Sequence, residues 1–361
     1  MIHSESNDSK ETILITGASG FVGSWLTELL HLAGHESVRA GIRGWANAAR
    51  LGRTSADIVF CDVMKPDQID TAVAGATHVI HCAIGPRDVI VDGTRNMLEA
   101  SVKHGVQRFV HLSTTEVYGD VPGEIDESHE HQRGVNDYGD AKIDAEKIVW
   151  DYIEKGKLPL SIVRPPIVYG PFSEHWVTRM ADRLLSGNWK MYEGVGDGQC
   201  NLIYVTDLIQ GIMLALRHPA AIGQDFILNG PEVVTWNEYF RGLNGALGLP
   251  PLEVASSGST RGRAAVVAPV RAAAKVAMNY FEDPIMKVYQ RNRHARSAMK
   301  WVEKKLKTTA NFEDLERYNR QNIFLDDKAH RLLGYDPQFG VERGTEMCAA
   351  WLQHLGVAPL R

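Results

Sequence analysis

Cysteine is scarce in this chain, and its scarcity argues against two classes of protein. The four cysteines, Cys61, Cys82, Cys200 and Cys348, lie far apart in the sequence. They have neither the paired spacing of a zinc site nor the density of a disulfide-stapled secreted domain. We therefore expect structural thiols in a reducing compartment.

Long apolar runs and a large net charge are also missing. No run approaches the roughly 20 apolar residues that span a bilayer, and the first ten residues are polar and charged, unlike a secretory signal. A formal net charge of -5 provides no general attraction to nucleic acid or acidic membranes. The expectation is a cytoplasmic protein without an integral membrane segment, whose partner is a small-molecule substrate and not a nucleic acid.

What the chain does have is length, apolar content and a regular alternation of elements. Its 361 residues, 44% of them hydrophobic, can bury the core of one large α/β unit or of two domains. Short apolar runs alternate with helical periodicity, which is typical of a doubly wound parallel sheet in the α/β class. The predicted strands are residues 12–16, 37–43, 57–63, 77–83, 107–112 and 160–164, with a further short strand at 225–228, and the main predicted helices are 24–33, 92–104, 137–154, 176–186, 205–217, 236–247, 326–334 and 341–355.

A glycine-rich turn joins the first predicted strand to the first helix. Glycine permits unusual backbone angles and lets the main chain approach an anion, which the free N–H groups of the helix start then bind. The spacing G-x-x-G-x-x-G is one residue longer than the general dinucleotide fingerprint. We predict that this turn binds a dinucleotide pyrophosphate, the alternative being a plain turn. The predicted contacts are Gly17, Ser19, Gly20, Phe21, Val22 and Gly23.

The end of the second strand bears on the choice of cofactor, because it faces the adenosine ribose in this architecture. Ile42 and Arg43 stand there instead of a carboxylate, and Arg50 follows. A guanidinium fits a phosphate in a bidentate manner. NADP is therefore preferred over NAD, unless Arg43 is an ordinary surface arginine.

Further cofactor contacts are predicted at the ends of the later strands. Asp62 could accept a hydrogen bond from the adenine amine or cap a helix, and Ala83 and Ile84 should pass behind the nicotinamide half. His81, in an apolar strand, is interpreted as a satisfied core histidine. The remaining predicted contacts are Val63, Ser113, Tyr138, Lys142, Pro165, Ile167 and Val168.

The candidate catalytic residues are Tyr138, Lys142 and Thr114. Tyr138 and Lys142 are four apart in a predicted helix, so they share one face. A nearby ammonium favours the phenolate and should lower the tyrosine pKa, so that the phenol can exchange a proton with a substrate oxygen. Lys142 can also bind the nicotinamide ribose, and a hydroxyl from the end of the fifth strand can polarise the substrate oxygen.

Two other charged segments were weighed as binding sites. The loop 120–136 contains His129 and His131 among acidic residues (Asp126, Glu127 and Glu130), but ligands so placed on a polar loop favour a solvated loop, and no metal site is predicted. Residues 261–307 are rich in Lys and Arg with interspersed aromatics. A solvated helix face is favoured there over a surface for anionic lipid.

Together these motifs resemble the extended short-chain dehydrogenase/reductases, the group that includes the NAD(P)-dependent epimerase/dehydratase family. The resemblance is carried by residues 16–23, 111–119, 138–142, 164–171 and 203–207. It implies an NAD(P)-binding Rossmann domain at 1–170 and, at 171–361, a lobe that is mainly substrate-binding and helical. Late strands and helices from 200–230 could return to the sheet of the first domain. It also implies that the catalytic hydroxyl four residues before Tyr118 is Thr114, with Ser113 as the neighbouring candidate, and that a homodimer is possible.

Departures from the family motifs bear on the reaction. Where dehydratases carry an Asp-Glu pair, this chain has Thr115 and Glu116, while Ile167 and Cys200 stand where epimerases hold the diphosphate with Asn and Arg. The first helix and second strand are similar to dihydroflavonol reductase and to the 3β-hydroxysteroid dehydrogenases. We therefore expect an NAD(P)-dependent oxidoreductase that interconverts a secondary alcohol and a ketone. The alternatives are a nucleotide-sugar 4-epimerase or dehydratase with the same triad and a non-catalytic, cofactor-bound regulatory protein.

Overall fold

The computed structural model describes residues 11–46, 48–256 and 309–358, with four isolated positions at 258, 262, 269 and 297. The basic segment 261–307 therefore lies almost entirely outside the described residues. The chain forms two compact units. The first comprises Met1–Val168, Ile203–Pro231 and Phe324–Gln338, and the second comprises Tyr169–Leu202, Glu232–Ile323 and Phe339–Arg361.

The first unit is built on a seven-stranded, wholly parallel sheet, as the sequence predicted. The strand order is β3-β2-β1-β4-β5-β7-β11, so the winding reverses beside β1, where α/β sheets bind ligands. The central strands are apolar runs buried on both faces, which is why they read as continuous hydrophobic segments. The strands are β1 Ile13–Thr16, β2 Val38–Ile42, β3 Asp57–Phe60, β4 His78–His81, β5 Arg108–Leu112, β6 Gly123–Ile125, β7 Leu160–Arg164, β8 Ile167–Tyr169, β9 Met191–Tyr192, β10 Leu202–Tyr204, β11 Asp225–Ile227, β12 Val254–Ala255 and β13 Asn322–Phe324.

Most helices follow the predicted periodicity, but Pro66–Val73 and Phe312–Tyr318 were not predicted, and one predicted helix begins earlier than expected. Helix α3 begins at Arg87 and not at 92, because Pro86 fixes the extended backbone before it and Asp88 supplies an acidic first turn. The loop after β4 is therefore shorter than expected. The helices are α1 Phe21–Leu32, α2 Pro66–Val73, α3 Arg87–Lys103, α4 Asp137–Glu154, α5 Arg179–Leu185, α6 Val205–Arg217, α7 Trp236–Ala246, α8 Phe312–Tyr318, α9 Asp327–Leu333 and α10 Val341–His354.

Two later segments return to the first unit. Strand β11 pairs with β7 at the sheet edge, and α6 precedes it in the same unit. Residues 324–338, which the sequence assigned to the C-terminal lobe, also belong to this unit. The pairing places Phe226 in the core, fully buried, and it involves the predicted strand at 225–228.

The second unit has an aromatic core. The ring of Trp189 lies 5.3 Å from that of Phe240 and 5.4 Å from that of Tyr192, and Trp236 lies 4.6 Å from Tyr318. Helix α7 begins with a capping box formed by Thr235 and Glu238. Among the helices of the described residues, none combines the length and apolar character needed to cross a bilayer.

Candidate active site

Gly17 and Gly23 form a close-packed turn at the carboxyl end of β1. Gly17 has a φ of +65°, and a Cβ there would lie 2.8 Å from the carbonyl oxygen of Cys82 and 2.9 Å from the Cα of Ala83. A Cβ on Gly23 would lie 2.4 Å from the carbonyl oxygen of Gly17. Only glycine fits at these positions, because the obstacles are backbone atoms that cannot move aside.

The start of helix α1 is open to an anion. Its N-cap, Gly20, has no side-chain capping bond, and its first turn carries no acidic residue. The first N–H groups of a helix have no partner within the helix and carry its positive dipole end. This turn, which also contains Ser19, Phe21 and Val22, therefore fits the pyrophosphate of a dinucleotide.

The two arginines near the end of β2 differ in their surroundings. Arg50 is bound to Glu28 (Nε to Oε2, 2.8 Å) and to the hydroxyl of Ser24 (3.1 Å), and its guanidinium lies over the ring of Trp25. Arg43 is exposed, and no ion pair joins it to another described residue. Arg43 is thus the more accessible of the two for a cofactor phosphate.

At the end of β3, the Asp62 carboxylate accepts a hydrogen bond from the N–H of Met64 at 3.1 Å. The N-cap of α2 is Lys65, so Asp62 closes a turn before the helix and does not cap it. Val63 is buried. After β4, Ala83 is partly buried and Ile84 is 63% exposed, so these two neighbours face different surroundings.

The three predicted catalytic residues lie together. Asn136 caps α4 by accepting a hydrogen bond from the N–H of Gly139 at 2.7 Å, which places Tyr138 in the first turn. The phenol of Tyr138 interacts with the side chain of Thr114, directly beyond β5, which lowers the phenol pKa. Lys142, one turn further along, donates from Nζ to the carbonyl oxygen of Leu112 at 2.7 Å.

The pKa of Tyr138 shifts in the direction opposite to the expected one. Burial and the charge of Glu116 together raise it to about 12, although the interaction with Thr114 lowers it. Burial also lowers the pKa of Lys142 to about 8. The expected lowering of the tyrosine pKa by the lysine is not found. Tyr138 is therefore a neutral phenol at neutral pH, ready to donate a proton.

The adjacent hydroxyls of Ser113 and Thr114 have different partners. The side chain of Thr114 interacts with the phenol of Tyr138, whereas the Ser113 hydroxyl donates to the carboxylate of Glu146. Ser113 is also held through its backbone, whose N–H donates to Val163 at 2.7 Å. Of the two candidates, Thr114 is the one that contacts the phenol.

Sequence reasoning assigned no structural role to Glu116 and Asn136. The side-chain amide of Asn136 donates to Glu116 Oε2 at 2.9 Å, and a Cβ on Gly139 would lie 2.9 Å from the Glu116 carbonyl oxygen. The carboxylate is thus held near Tyr138 by the same residue that caps α4. An Asn before a predicted helix start is the signal that could have identified this cap.

Strand β7 leads into the last predicted cofactor contacts. The N–H of Thr115 donates to the carbonyl oxygen of Pro165 at 3.0 Å, which joins the segment after β5 to the one after β7. Ile167 and Val168 are partly buried. In the second unit Cys200 is fully buried, and burial holds its thiol pKa well above the ordinary value.

His81 is a satisfied core histidine, as predicted. It is 2% exposed, with its ring nitrogens 2.8 Å from the Thr16 hydroxyl and 3.3 Å from the Thr94 hydroxyl. Burial lowers its pKa to about 3, so the ring is neutral.

The loop 120–136 is more ordered than the sequence suggested. Residues 123–125 form β6, Glu127 accepts a hydrogen bond from the N–H of Ile227 at 2.8 Å, and His131 packs edge-on against Tyr118. In the described ranges, no group of three or more His, Cys, Asp or Glu residues is arranged to hold a metal.

Comparison with known proteins identifies the family of this chain. The sequence profile of the NAD dependent epimerase/dehydratase family matches residues 13–229. The chain is 27% identical over 372 residues to the 3-beta-hydroxysteroid dehydrogenase of Mycolicibacterium neoaurum, covering 95% of this chain and 92% of that protein. It is 25% identical over 261 residues to the UDP-glucose 4-epimerase of Vibrio cholerae, covering 66% and 77%.

Among solved structures, the UDP-glucuronic acid 4-epimerase of Bacillus cereus, in complex with NAD, superposes with a TM-score of 0.71. Its sequence is 20% identical, and the match covers 95% of this chain and 97% of that one. At this identity the superposition supports the fold, while the profile match covers more than half of the chain. The chain belongs to the NAD dependent epimerase/dehydratase family of extended short-chain dehydrogenase/reductase enzymes.

Proposed function

We propose that this protein is an oxidoreductase that interconverts a secondary alcohol and a ketone by hydride transfer, with NADP preferred over NAD. The observation that carries the proposal is the convergence of Tyr138 and Thr114, whose side chains interact, with Lys142 one turn along the same helix. This arrangement joins a proton donor to a hydroxyl that can hold a substrate oxygen.

Each residue has a distinct task in this proposal. The turn at Gly17, Gly20 and Gly23 holds the cofactor pyrophosphate, and the bound nicotinamide supplies or accepts the hydride. Tyr138 donates its proton to the ketone oxygen, which Thr114 orients. Lys142 holds the nicotinamide ribose. Because burial raises the pKa of Tyr138 to about 12, the free enzyme carries a protonated phenol, which suits carbonyl reduction.

The substrate is proposed to lack a diphosphate. Ile167 and Cys200 stand at the positions where the family resemblance leads us to expect an amide and a guanidinium in epimerases. Each charge-assisted contact is worth about 1.5–3 kcal/mol, so their loss weakens diphosphate binding substantially. A mostly apolar, carbonyl-bearing molecule fits these positions better.

The NADP preference rests on Arg43. Its guanidinium is exposed at the end of β2, while Arg50 is bound to Glu28. An unpaired guanidinium can form a bidentate contact with a 2'-phosphate.

The proposal is tested with a panel of apolar ketones and secondary alcohols, each assayed with NADPH and NADH. We expect steady, stoichiometric cofactor oxidation with at least one ketone and a higher kcat/KM for NADPH. No net cofactor oxidation or reduction across the panel, with demonstrable cofactor binding, would reject the redox function.

A nucleotide-sugar 4-epimerase is the second candidate, favoured by the relatives and solved structures that carry this activity. Such an enzyme returns the hydride to the same substrate and shows no net oxidation. A thermal-shift comparison of UDP- and dTDP-sugars with NADP and NAD separates the two. Stabilisation by a nucleotide sugar, together with its epimerisation, would replace the reductase proposal.

Assembly and location stay predictions. Size-exclusion chromatography with light scattering would check the possible homodimer, and cell fractionation would check the cytoplasmic location.

A further inference from the structure

A buried cluster of charged side chains lies in the first unit, centred on Glu146 and Arg164. Glu146 has no exposed surface, and Arg164 is 1% exposed. Burying an ion pair costs more desolvation energy than it returns unless the geometry is excellent. Such a cluster beside a candidate active site therefore calls for a specific role.

Glu146 binds the ends of two strands besides its own helix, and Nε2 of His131 lies 3.6 Å from its Oε2. Arg164, the last residue of β7, donates from Nη2 to Oε2 at 2.6 Å and from Nε to Oε1 at 2.9 Å. Ser113, just beyond β5, donates its hydroxyl to Oε1. One carboxylate thus ties α4 to the ends of two neighbouring strands.

Arg164 is itself fixed from its other side. Its Nη1 donates to the hydroxyl of Tyr118 at 2.8 Å and to Asp225 Oδ2 at 2.5 Å, and Asp225 also accepts from Lys328 at 2.7 Å. These contacts orient the guanidinium, so the position of the Glu146 carboxylate follows from them.

The cluster is directly linked to the catalytic residues. Along α4, Glu146 comes one turn after Lys142, which comes one turn after Tyr138. Beyond the end of β5, Ser113, whose hydroxyl donates to Glu146, immediately precedes Thr114 in the chain. We propose that Glu146 is a positioning residue, which holds α4 and the end of β5 at the separation that lets Tyr138 and Thr114 meet. The inference rests on the proposed function for the identity of the triad.

Glu146 also acts on Lys142 by its charge. The groups that face the ammonium are Cys82 and His81 from the end of β4, His111 from β5, and Glu146 from α4. The two histidines are neutral because burial lowers their pKa. Glu146 is a buried carboxylate, and its charge raises the pKa of Lys142.

The first test variant is Ser113→Ala, which removes the hydroxyl link and leaves the ion pair intact. Ser161→Ala is the matched control, because Ser161 is also a buried serine of this sheet, and its hydroxyl donates to Ala215 instead. We expect Ser113→Ala to lower kcat about 10- to 100-fold, since a misplacement of about 1 Å can cost about 100-fold. Its substrate KM, its NADPH affinity measured by fluorescence and its melting temperature should match those of Ser161→Ala.

The second variant, Glu146→Gln, separates positioning from a purely structural role. Besides lowering kcat, it should move the alkaline limb of the pH–rate profile, and the alkaline fall in NADPH affinity, to lower pH. Ser113→Ala, which keeps the charge, should leave both midpoints in place. The affinity measurement needs no turnover, so it tests the effect of the Glu146 charge on Lys142 even if no substrate is found and the redox proposal fails.

Equal kcat values for Ser113→Ala and Ser161→Ala would overturn the inference. A loss of NADPH affinity in Ser113→Ala would also overturn it, because Ser113 would then act on the cofactor and not through α4. If Glu146→Gln does not fold, the comparison of kcat between Ser113→Ala and Ser161→Ala tests the inference by itself.

Discussion

The side chains of Tyr138 and Thr114 interact, although they belong to different elements. Tyr138 lies in the first turn of α4, and Thr114 follows β5. The contact depends on a helix start that Asn136 caps and on a strand end that the buried cluster around Glu146 holds. The predictions below follow from this contact and from the glycine turn.

Replacing Tyr138 by Phe should abolish most turnover without unfolding the protein. The change removes the proton donor and keeps the ring, and general acid catalysis contributes roughly 10²–10⁴-fold. Steady-state ketone reduction measures the loss of kcat, while NADPH affinity should change little. Tyr152→Phe is the control, a buried tyrosine near the end of the same helix whose ring lies under Lys157. Unchanged kcat in Tyr138→Phe would remove this phenol from the mechanism.

The buried Lys142 should make both activity and stability depend on pH above 8. Its pKa of about 8 in the folded state lies below the ordinary value of 10.5. The unfolded chain thus binds more protons between about pH 8 and 10.5, and stability rises with pH across that window. Ligand binding that needs the ammonium should weaken over the same range.

Lys142→Met isolates this effect, because other titrating groups cancel in the comparison. Relative to Lys142→Met, the wild type should gain about 3 kcal/mol in the free energy of unfolding between pH 8 and 10.5. Urea denaturation at both ends of the range measures the difference. A constant difference would mean that Lys142 titrates normally.

Gly23→Ala should disrupt the cofactor turn. The added Cβ would meet the Gly17 carbonyl oxygen at 2.4 Å, so the backbone must shift. We expect a loss of about 1–3 kcal/mol in stability and a marked loss of dinucleotide affinity, measured by calorimetry. Gly52→Ala is the control, because a Cβ there meets nothing within 4 Å. Wild-type affinity in Gly23→Ala would show that the pyrophosphate lies elsewhere.

Arg43→Ala should weaken NADPH binding more than NADH binding. The loss of a charge-assisted contact corresponds to about 1.5–3 kcal/mol for NADPH, or roughly a factor of 10 to 100 in Kd. Arg53→Ala is the matched control, since Arg53 is an exposed arginine bound to Glu28. Equal effects of Arg43→Ala on the two cofactors would contradict the NADP preference.

Much of the first unit could be predicted from local patterns. The 3.6-residue periodicity predicted α4 and α6 with the observed bounds, and β-branched runs predicted the central strands. Helix α3 was misjudged because Pro86 can begin a helix as well as interrupt one. The short loop strand β6 and its pairing with β13 could not be anticipated, since three-residue strands form only when a partner is present.

The sequence by itself determined the glycine turn, the shared face of Tyr138 and Lys142, and the family, because these depend on spacing along a single element. Only the tertiary structure decided that Thr114 and not Ser113 contacts the phenol, that Lys142 binds a carbonyl, and that burial raises the Tyr138 pKa. Hydrogen-bond partners and desolvation depend on which distant elements pack together, and a linear pattern does not contain that information.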